Sequence, residues 1–255
     1  MTSALAFSAA LFAAATSLAP MAKECTVRSG AFKNALLELY TSEGCSSCPP
    51  ADRWLSSLTP AAEQPHVIPV AFHVSYWDYI GWKDAFADPR FTQRQRALAS
   101  AAGRKSVYTP QVVLDGADFD GWRATSFPKA LQGVTRLPAK ASMELTRSSQ
   151  PGAITALVRI DIPKTVRRSD LALMVVLTEN QLGSKVTAGE NRGATLRHEF
   201  VARDFASLAV DAANEYRIRF DAKPQYKPAD TSVVAFVQDR ATGEVLQALS
   251  SCNPT

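Results

Sequence analysis

The sequence predicts an α/β domain followed by an all-β, sandwich-like domain. Three observations predict it. Between residues 33 and 136, short apolar runs alternate with helical stretches, the pattern of strands covered by helices. Between 139 and 252, segments alternate apolar and polar with period two, as half-buried strands do. A helix that stops at Gly133, ahead of Leu137-Pro138, puts the boundary between the halves there.

In the first half, Ala35–Tyr40 is an apolar run long enough for a buried strand and too short for a helix. A polar loop, Ser42–Pro50, leads into a helix over Ala51–Leu58 with Trp54, Leu55 and Leu58 on one face. His66–Val74 is a second strand. An aromatic stretch, Tyr76–Trp82, opens an insertion over 75–105 that also holds a polar helix from Pro89 to Ala102. Thr109–Leu114 is a third strand, Asp115-Gly116 a hairpin turn and Ala117–Phe119 a short fourth strand. A helix over Thr125–Gln132 ends this half. Strands that alternate with helices are expected to run parallel. In the second half, Ile154–Ile162 and Tyr216–Phe220 alternate cleanly, while Leu171–Leu177 and Val233–Val237 are continuously apolar, as central strands are. Segments near Met143, over Leu196–Ala202 and over Val245–Leu249 bring the count to about seven strands. The loop Gly183–Gly193 is long and polar, either a functional loop or a crossover. Within it, Glu190 and Arg192 are expected to pair.

The chain has 255 residues, 46% hydrophobic and 20% charged, with 12 Gly and 15 Pro. That composition excludes disorder, collagen-like repeats and coiled coils, and it is enough for a sizeable core. A formal charge of +4 with no polybasic tract argues against a nucleic-acid partner. Residues 1–22 carry no charge, and their longest apolar run is the seven residues Ala9–Ala15. That is far short of the roughly 18 needed to span a bilayer, so no stable membrane span is expected. A short apolar centre followed by small residues near Ala19 and Ala22 reads as a secretory signal peptide, which makes the protein periplasmic or secreted. The four cysteines agree with export. Cys45 and Cys48 are near enough to pair locally, which leaves Cys25 and Cys252. A bond between those two ties the ends of the mature chain and persists only in an oxidising compartment. Two unpaired terminal thiols are the alternative.

The chemistry is concentrated in Cys45-Ser46-Ser47-Cys48, after a strand and at the start of a helix. A helix N-terminus offers unpaired N–H groups and positive potential. A thiolate there is stabilised and becomes nucleophilic near neutral pH. The two-residue spacing lets the second sulfur close a small disulfide ring on the first. Ser46 and Ser47 can offer hydroxyls to the sulfur, whereas Glu43 is an anion that opposes thiolate formation.

Five stretches carry a resemblance to a known family: Leu37–Asp52, Phe72–Asp84, Phe91–Gln95, Tyr108–Gln111 and Gly189–Gly193. Together they resemble a secreted bacterial family of unknown function, DUF1223, grouped with the thioredoxin-like superfamily. The resemblance implies a thioredoxin-like first domain, with a cis-proline, Pro110, leading the third central strand beside the cysteines. It further implies that Cys45 attacks a substrate disulfide, that Cys48 resolves the mixed disulfide, and that the Thr109 backbone pairs with the substrate chain.

The favoured reading is therefore an exported thiol–disulfide oxidoreductase acting on a protein or small-thiol substrate with a separate redox partner, and it calls for no cofactor. Tyr76, Trp77, Trp82 and Tyr79 are either an apolar wall that receives an extended substrate or a cap on the core. Asp78 and Asp84 are either proton acceptors for Cys48 or loop and helix-cap residues. Two other readings stay open. One is a binding module, with Cu(I) or Zn(II) held by the two thiolates and His73. Against its metal, a lone strand histidine is ordinary, and the chain has no second CxxC or HxxxH. The other is a structural protein with two inert disulfides.

Overall fold

The computed structural model describes residues 23–58 and 66–252. The expected signal segment, 1–22, lies outside the described residues. The chain is mostly β-sheet with few helices. Its first half comprises β1 (Lys23–Arg28), β2 (Ala35–Thr41), α1 (Pro49–Ser57), β3 (Val67–His73), α2 (Pro89–Ala101), β4 (Gln111–Leu114), β5 (Ala117–Asp118) and α3 (Phe127–Thr135). The second half is β6 (Ser142–Gln150), β7 (Ala153–Asp161), β8 (Leu171–Glu179), β9 (Leu182–Lys185), β10 (Thr195–His198), β11 (Val201–Ala209), β12 (Glu215–Asp221), β13 (Thr231–Asp239) and β14 (Val245–Ser250).

Each α-helix starts where its sequence permits. Prolines 49 and 50 fill the first turn of α1, where a missing N–H costs nothing, so the helix begins two residues before the predicted Ala51. Asp88 caps α2, its carboxylate accepting from the Arg90 N–H. Helix α3 runs through Gly133 to Thr135, past its predicted end. A helical glycine costs only about 1 kcal/mol relative to alanine, and Val134 packs into the core beside Phe127.

The largest sheet is mixed and has eight strands in the order β14-β13-β8-β11-β3-β2-β4-β5. Strands β2 and β3 are parallel, but β4 runs antiparallel to β2, contrary to the parallel expectation. The cause is the connection through α2, which leaves and re-enters at the same end of the sheet. Thr41 lies opposite His73 in the β2–β3 register, and Tyr40 opposite Gln111, so Pro110 arrives beside the end of β2 that β3 has just left. The link at Leu137-Pro138 does not divide the sheet. Strand β11 pairs with β3 at Val201 and Ala71, and the Ala71 N–H donates to the Phe200 carbonyl at 2.8 Å.

The predicted strand over 196–202 is two strands, β10 and β11, separated by Phe200 at φ +58°. Strands β9 and β10 form a separate hairpin that takes in part of the expected long loop. A four-stranded antiparallel sheet, β1-β6-β7-β12, shares one apolar core with β8, β13 and β14, built from Leu145, Ile154, Val158, Leu173, Val175, Val233 and their neighbours. Burying a side chain of that size stabilises the fold by about 1.5–3 kcal/mol. On β8, the alternate residues Ala172, Met174 and Val176 join a second core with Phe72, Phe91 and Phe236. Both faces of β8 are thus covered, which explains its continuous apolar run.

Candidate functional site

Strand β2 ends at Thr41, and the chain turns through Ser42–Cys48 before α1. The turn is held by the Cys45 N–H on the Ser42 carbonyl and the Cys48 N–H on the Cys45 carbonyl, both at 3.2 Å. Cys48 is the N-cap of α1. Cys45 and Cys48 form a disulfide with Cα atoms 5.4 Å apart, and the Ser47 hydroxyl lies 3.3 Å from the Cys45 sulfur. Cys25, on β1, is bonded to Cys252 just after β14, with Cα atoms 6.0 Å apart. The Thr109–Pro110 peptide is cis.

A nucleophilic pair is expected to be accessible, yet Cys45 and Cys48 are both 0% exposed. Two segments pack on the turn that carries them. From one side, the Asn191 amide donates to the Glu43 and Cys45 carbonyls at 2.8 and 2.9 Å, and the Glu190 carboxylate accepts from the Ser46 N–H at 2.9 Å. The Ser46 hydroxyl, followed by the Ser46 N–H, holds the Glu190 carboxyl below its ordinary value. Glu190 therefore serves the cysteine turn instead of pairing with Arg192. From the other side comes the 3₁₀ turn Ser75–Ile80. A Cβ on Gly44 would sit 3.2 Å from that of Trp77, so the turn abuts this segment closely. The Trp77 indole donates to the Thr109 hydroxyl at 2.7 Å, linking the cysteine turn to the head of β4. The Trp82 indole donates to Glu43 at 2.9 Å. Tyr76, Trp77 and Trp82 are part-buried, whereas Tyr79 is 82% exposed. The aromatic stretch thus meets the residues that flank the cysteines through Trp77 and Trp82, with Tyr79 turned outward.

A buried polar cluster adjoins the turn. Asp52, one helical turn beyond Cys48, accepts from the Thr41 hydroxyl at 3.1 Å. The His73 Nδ1 lies 2.7 Å from Asp84, and Asp84 also accepts from the Glu43 and Phe86 N–H groups. The His198 Nε2 lies 3.1 Å from Glu43. Burial raises the Asp52 carboxyl above its ordinary value, against the pull of His198 and His73. Burial pushes Glu43 and Asp84 the same way, but their histidine partners win and both carboxyls are lowered. For His73, burial works against charge, and Asp84 wins, raising the imidazole. Asp84 is thus spent on His73, and Asp78 accepts from the Asp84 N–H at 3.3 Å.

Sequence reasoning did not reach Asp52 or His198, and it read Glu43 as an opponent of the thiolate. Glu43 is instead turned inward to Trp82 and His198. The one available signal was position: Asp52 follows Cys48 by four residues, on the same face of α1. His198 lies a whole domain away in sequence, and no spacing rule joins it to the rest.

A family model described as "Protein of unknown function (DUF1223)" matches residues 36–238. The X-ray crystal structure of protein AGR_C_4864 from Agrobacterium tumefaciens is similar, at a TM-score of 0.63 and 21% identity, over 88% of this chain and 96% of that one. At that identity the likeness is one of fold. A domain of the outer membrane lipoprotein Omp28 from Porphyromonas gingivalis matches 44% of this chain and 87% of its own at 20% identity, with a TM-score of 0.28. No curated protein matches the chain. No helix among the described residues is long and apolar enough to cross a membrane. With four-fifths of its length inside one family model, the chain belongs to the DUF1223 family.

Proposed function

We propose that the chain is an exported, thioredoxin-like thiol–disulfide oxidoreductase whose Cys45–Cys48 pair exchanges with a disulfide of a protein or small-thiol substrate. One observation carries the reading: a CxxC disulfide spans the turn from β2 into α1, at the end of the sheet where Pro110 leads β4. The order β2-α1-β3-α2-β4-β5-α3, on a sheet β3-β2-β4-β5, supports a thioredoxin-like first half. Two disulfides support an oxidising, extracytoplasmic location.

In the reducing direction, the Cys45 thiolate attacks one sulfur of the substrate disulfide. That bond breaks, a mixed disulfide forms and one substrate thiolate leaves. The Cys48 thiolate then attacks the Cys45 sulfur, closing the internal disulfide and releasing the second thiolate. Two electrons pass to the substrate, and an external dithiol restores Cys45 and Cys48. Oxidation of a substrate dithiol is the same path reversed. The Thr109 backbone is the pairing edge for the substrate chain, and Trp77 and Trp82 line its approach. Because the sulfurs are buried, exchange requires the turn to open, and the opening is the lifting of the Gly189–Asn191 segment bonded to it.

Complete burial of both sulfurs favours a second reading, a permanent structural bond. Mild reduction followed by alkylation separates the two. The oxidoreductase reading expects Cys45 to label first, insulin to be reduced in the presence of a dithiol, and Cys45→Ser to abolish turnover. Unlabelled Cys45 with no turnover leaves the structural bond standing.

A further inference from the structure

Three carboxylates, Glu43, Asp52 and Asp84, lie buried together, and among the described residues no lysine or arginine forms an ion pair with any of them. Buried charges are ordinarily paired or bound to a metal. The two histidines beside them each commit one ring nitrogen to a carboxylate: His73 Nδ1 to Asp84, His198 Nε2 to Glu43. Their other nitrogens, His73 Nε2 and His198 Nδ1, are buried and have no hydrogen-bond partner. A ring held by a carboxylate on one nitrogen, with the other left free, is how a metal-binding histidine is oriented. Asp52, His73 and His198 each offer one donor atom, and these atoms lie within 4.8 Å of one another. The His198 Nδ1 is 3.9 Å from the Asp52 carboxylate.

We propose that Asp52, His73 and His198 bind one divalent first-row transition-metal ion, with Asp84 and Glu43 orienting the two imidazoles. Two imidazoles and a carboxylate, with no thiolate, suit zinc or another divalent ion better than Cu(I). Ligand atoms around a tetrahedral zinc lie roughly 3.3 Å apart, so side-chain shifts of about an ångström close the site. Three protein ligands leave a fourth position open. A cavity of about 420 Å³ between α1 and β10 adjoins it, lined by Pro49, Asp52, Arg53, Leu196, Arg197 and His198. The site uses neither cysteine, so it stands or falls separately from disulfide exchange.

The test uses untagged, chelator-stripped protein whose fold is verified by circular dichroism, titrated with Zn²⁺ alone and with Co²⁺ alone. The expected result is one ion per chain retained through desalting and a melting temperature that rises with metal concentration. The Co²⁺ form is expected to show visible ligand-field bands without a thiolate charge-transfer band. His198→Gln and His73→Gln are expected to abolish retention. Glu43→Gln, which leaves all three ligands in place but removes the anion that orients His198, is expected to weaken binding about 10–100-fold. Cys45→Ser/Cys48→Ser is expected to bind as the wild type does. Folded wild type that retains no ion overturns the proposal. So does binding that survives the double histidine substitution, or a thiolate band that vanishes with the cysteines.

Discussion

The Tyr108 hydroxyl donates to both Asp118 carboxylate oxygens, at 2.9 and 3.0 Å, one residue before the Thr109–Pro110 peptide. Burial, followed by the hydrogen bond to Asp118, pushes its phenol up to about 12. The folded value lies above the unfolded one of about 10. The stabilisation is therefore fully present below pH ~10 and is lost as pH rises through the folded value. Tyr108→Phe is expected to remove one late step from the tyrosinate absorbance titration. It is also expected to flatten the alkaline loss of stability between pH ~10 and about 12. Loss of a step near pH ~10 instead would mean that the phenol is not held by Asp118. Residue-scale features that depend on near neighbours were legible in the sequence. Asp115-Gly116 is one: both residues have positive φ, +53° and +88°, and they join β4 to β5 as a tight hairpin. The polar cluster was not legible, because Asp52, His73 and His198 arrive from three separate elements.

At the scale of elements, the segment after β9 is bonded to the turn that holds the Cys45–Cys48 disulfide. Strand β9 is only four residues long, too short to show periodicity, so the sequence reads Gly183–Gly193 as a loop of undetermined role. Its docking is visible only in three dimensions. Gly189, at φ +74°, packs against Ile80 and Trp82, where a Cβ would sit 3.2 Å from the nearest atom. That contact lets Asn191 reach two carbonyls of the cysteine turn. Each hydrogen bond contributes about 0.5–1.5 kcal/mol net. Asn191→Ala is thus expected to favour the lifted state by about 1–2 kcal/mol, making reduction of the Cys45–Cys48 disulfide by dithiothreitol about tenfold faster. The rate, followed by quenched alkylation and mass measurement, checks it. A rate equal to the wild type would show that the segment does not gate the sulfurs.

Over the whole molecule, the two halves that sequence pattern separates share one sheet and one buried cation, besides the contacts at the cysteine turn. The sequence shows each half because its strands and helices have local periodicity. It does not show the β11–β3 pairing, which joins segments more than a hundred residues apart. Arg94, on α2, makes a second connection. Its guanidinium grips Glu38 of β2 through two bonds, at 2.7 and 2.8 Å, and reaches Gln238 of β13 at 3.0 Å. It also lies 4.9 Å from the centre of the Phe236 ring. The Tyr40 hydroxyl completes the shell of Glu38 at 2.8 Å. Removing the cation alone leaves Glu38 buried without its counter-ion, so Arg94→Met is expected to cost about 3–5 kcal/mol. Adding Glu38→Gln removes the stranded charge and is expected to recover most of that loss. Because the anchor touches strands from both halves, urea unfolding followed by far- and near-ultraviolet circular dichroism is expected to show one coincident transition, shifted as a whole in Arg94→Met. Two resolved transitions, with only one moved by the substitution, would mean that the halves unfold independently and that the shared sheet does not couple them.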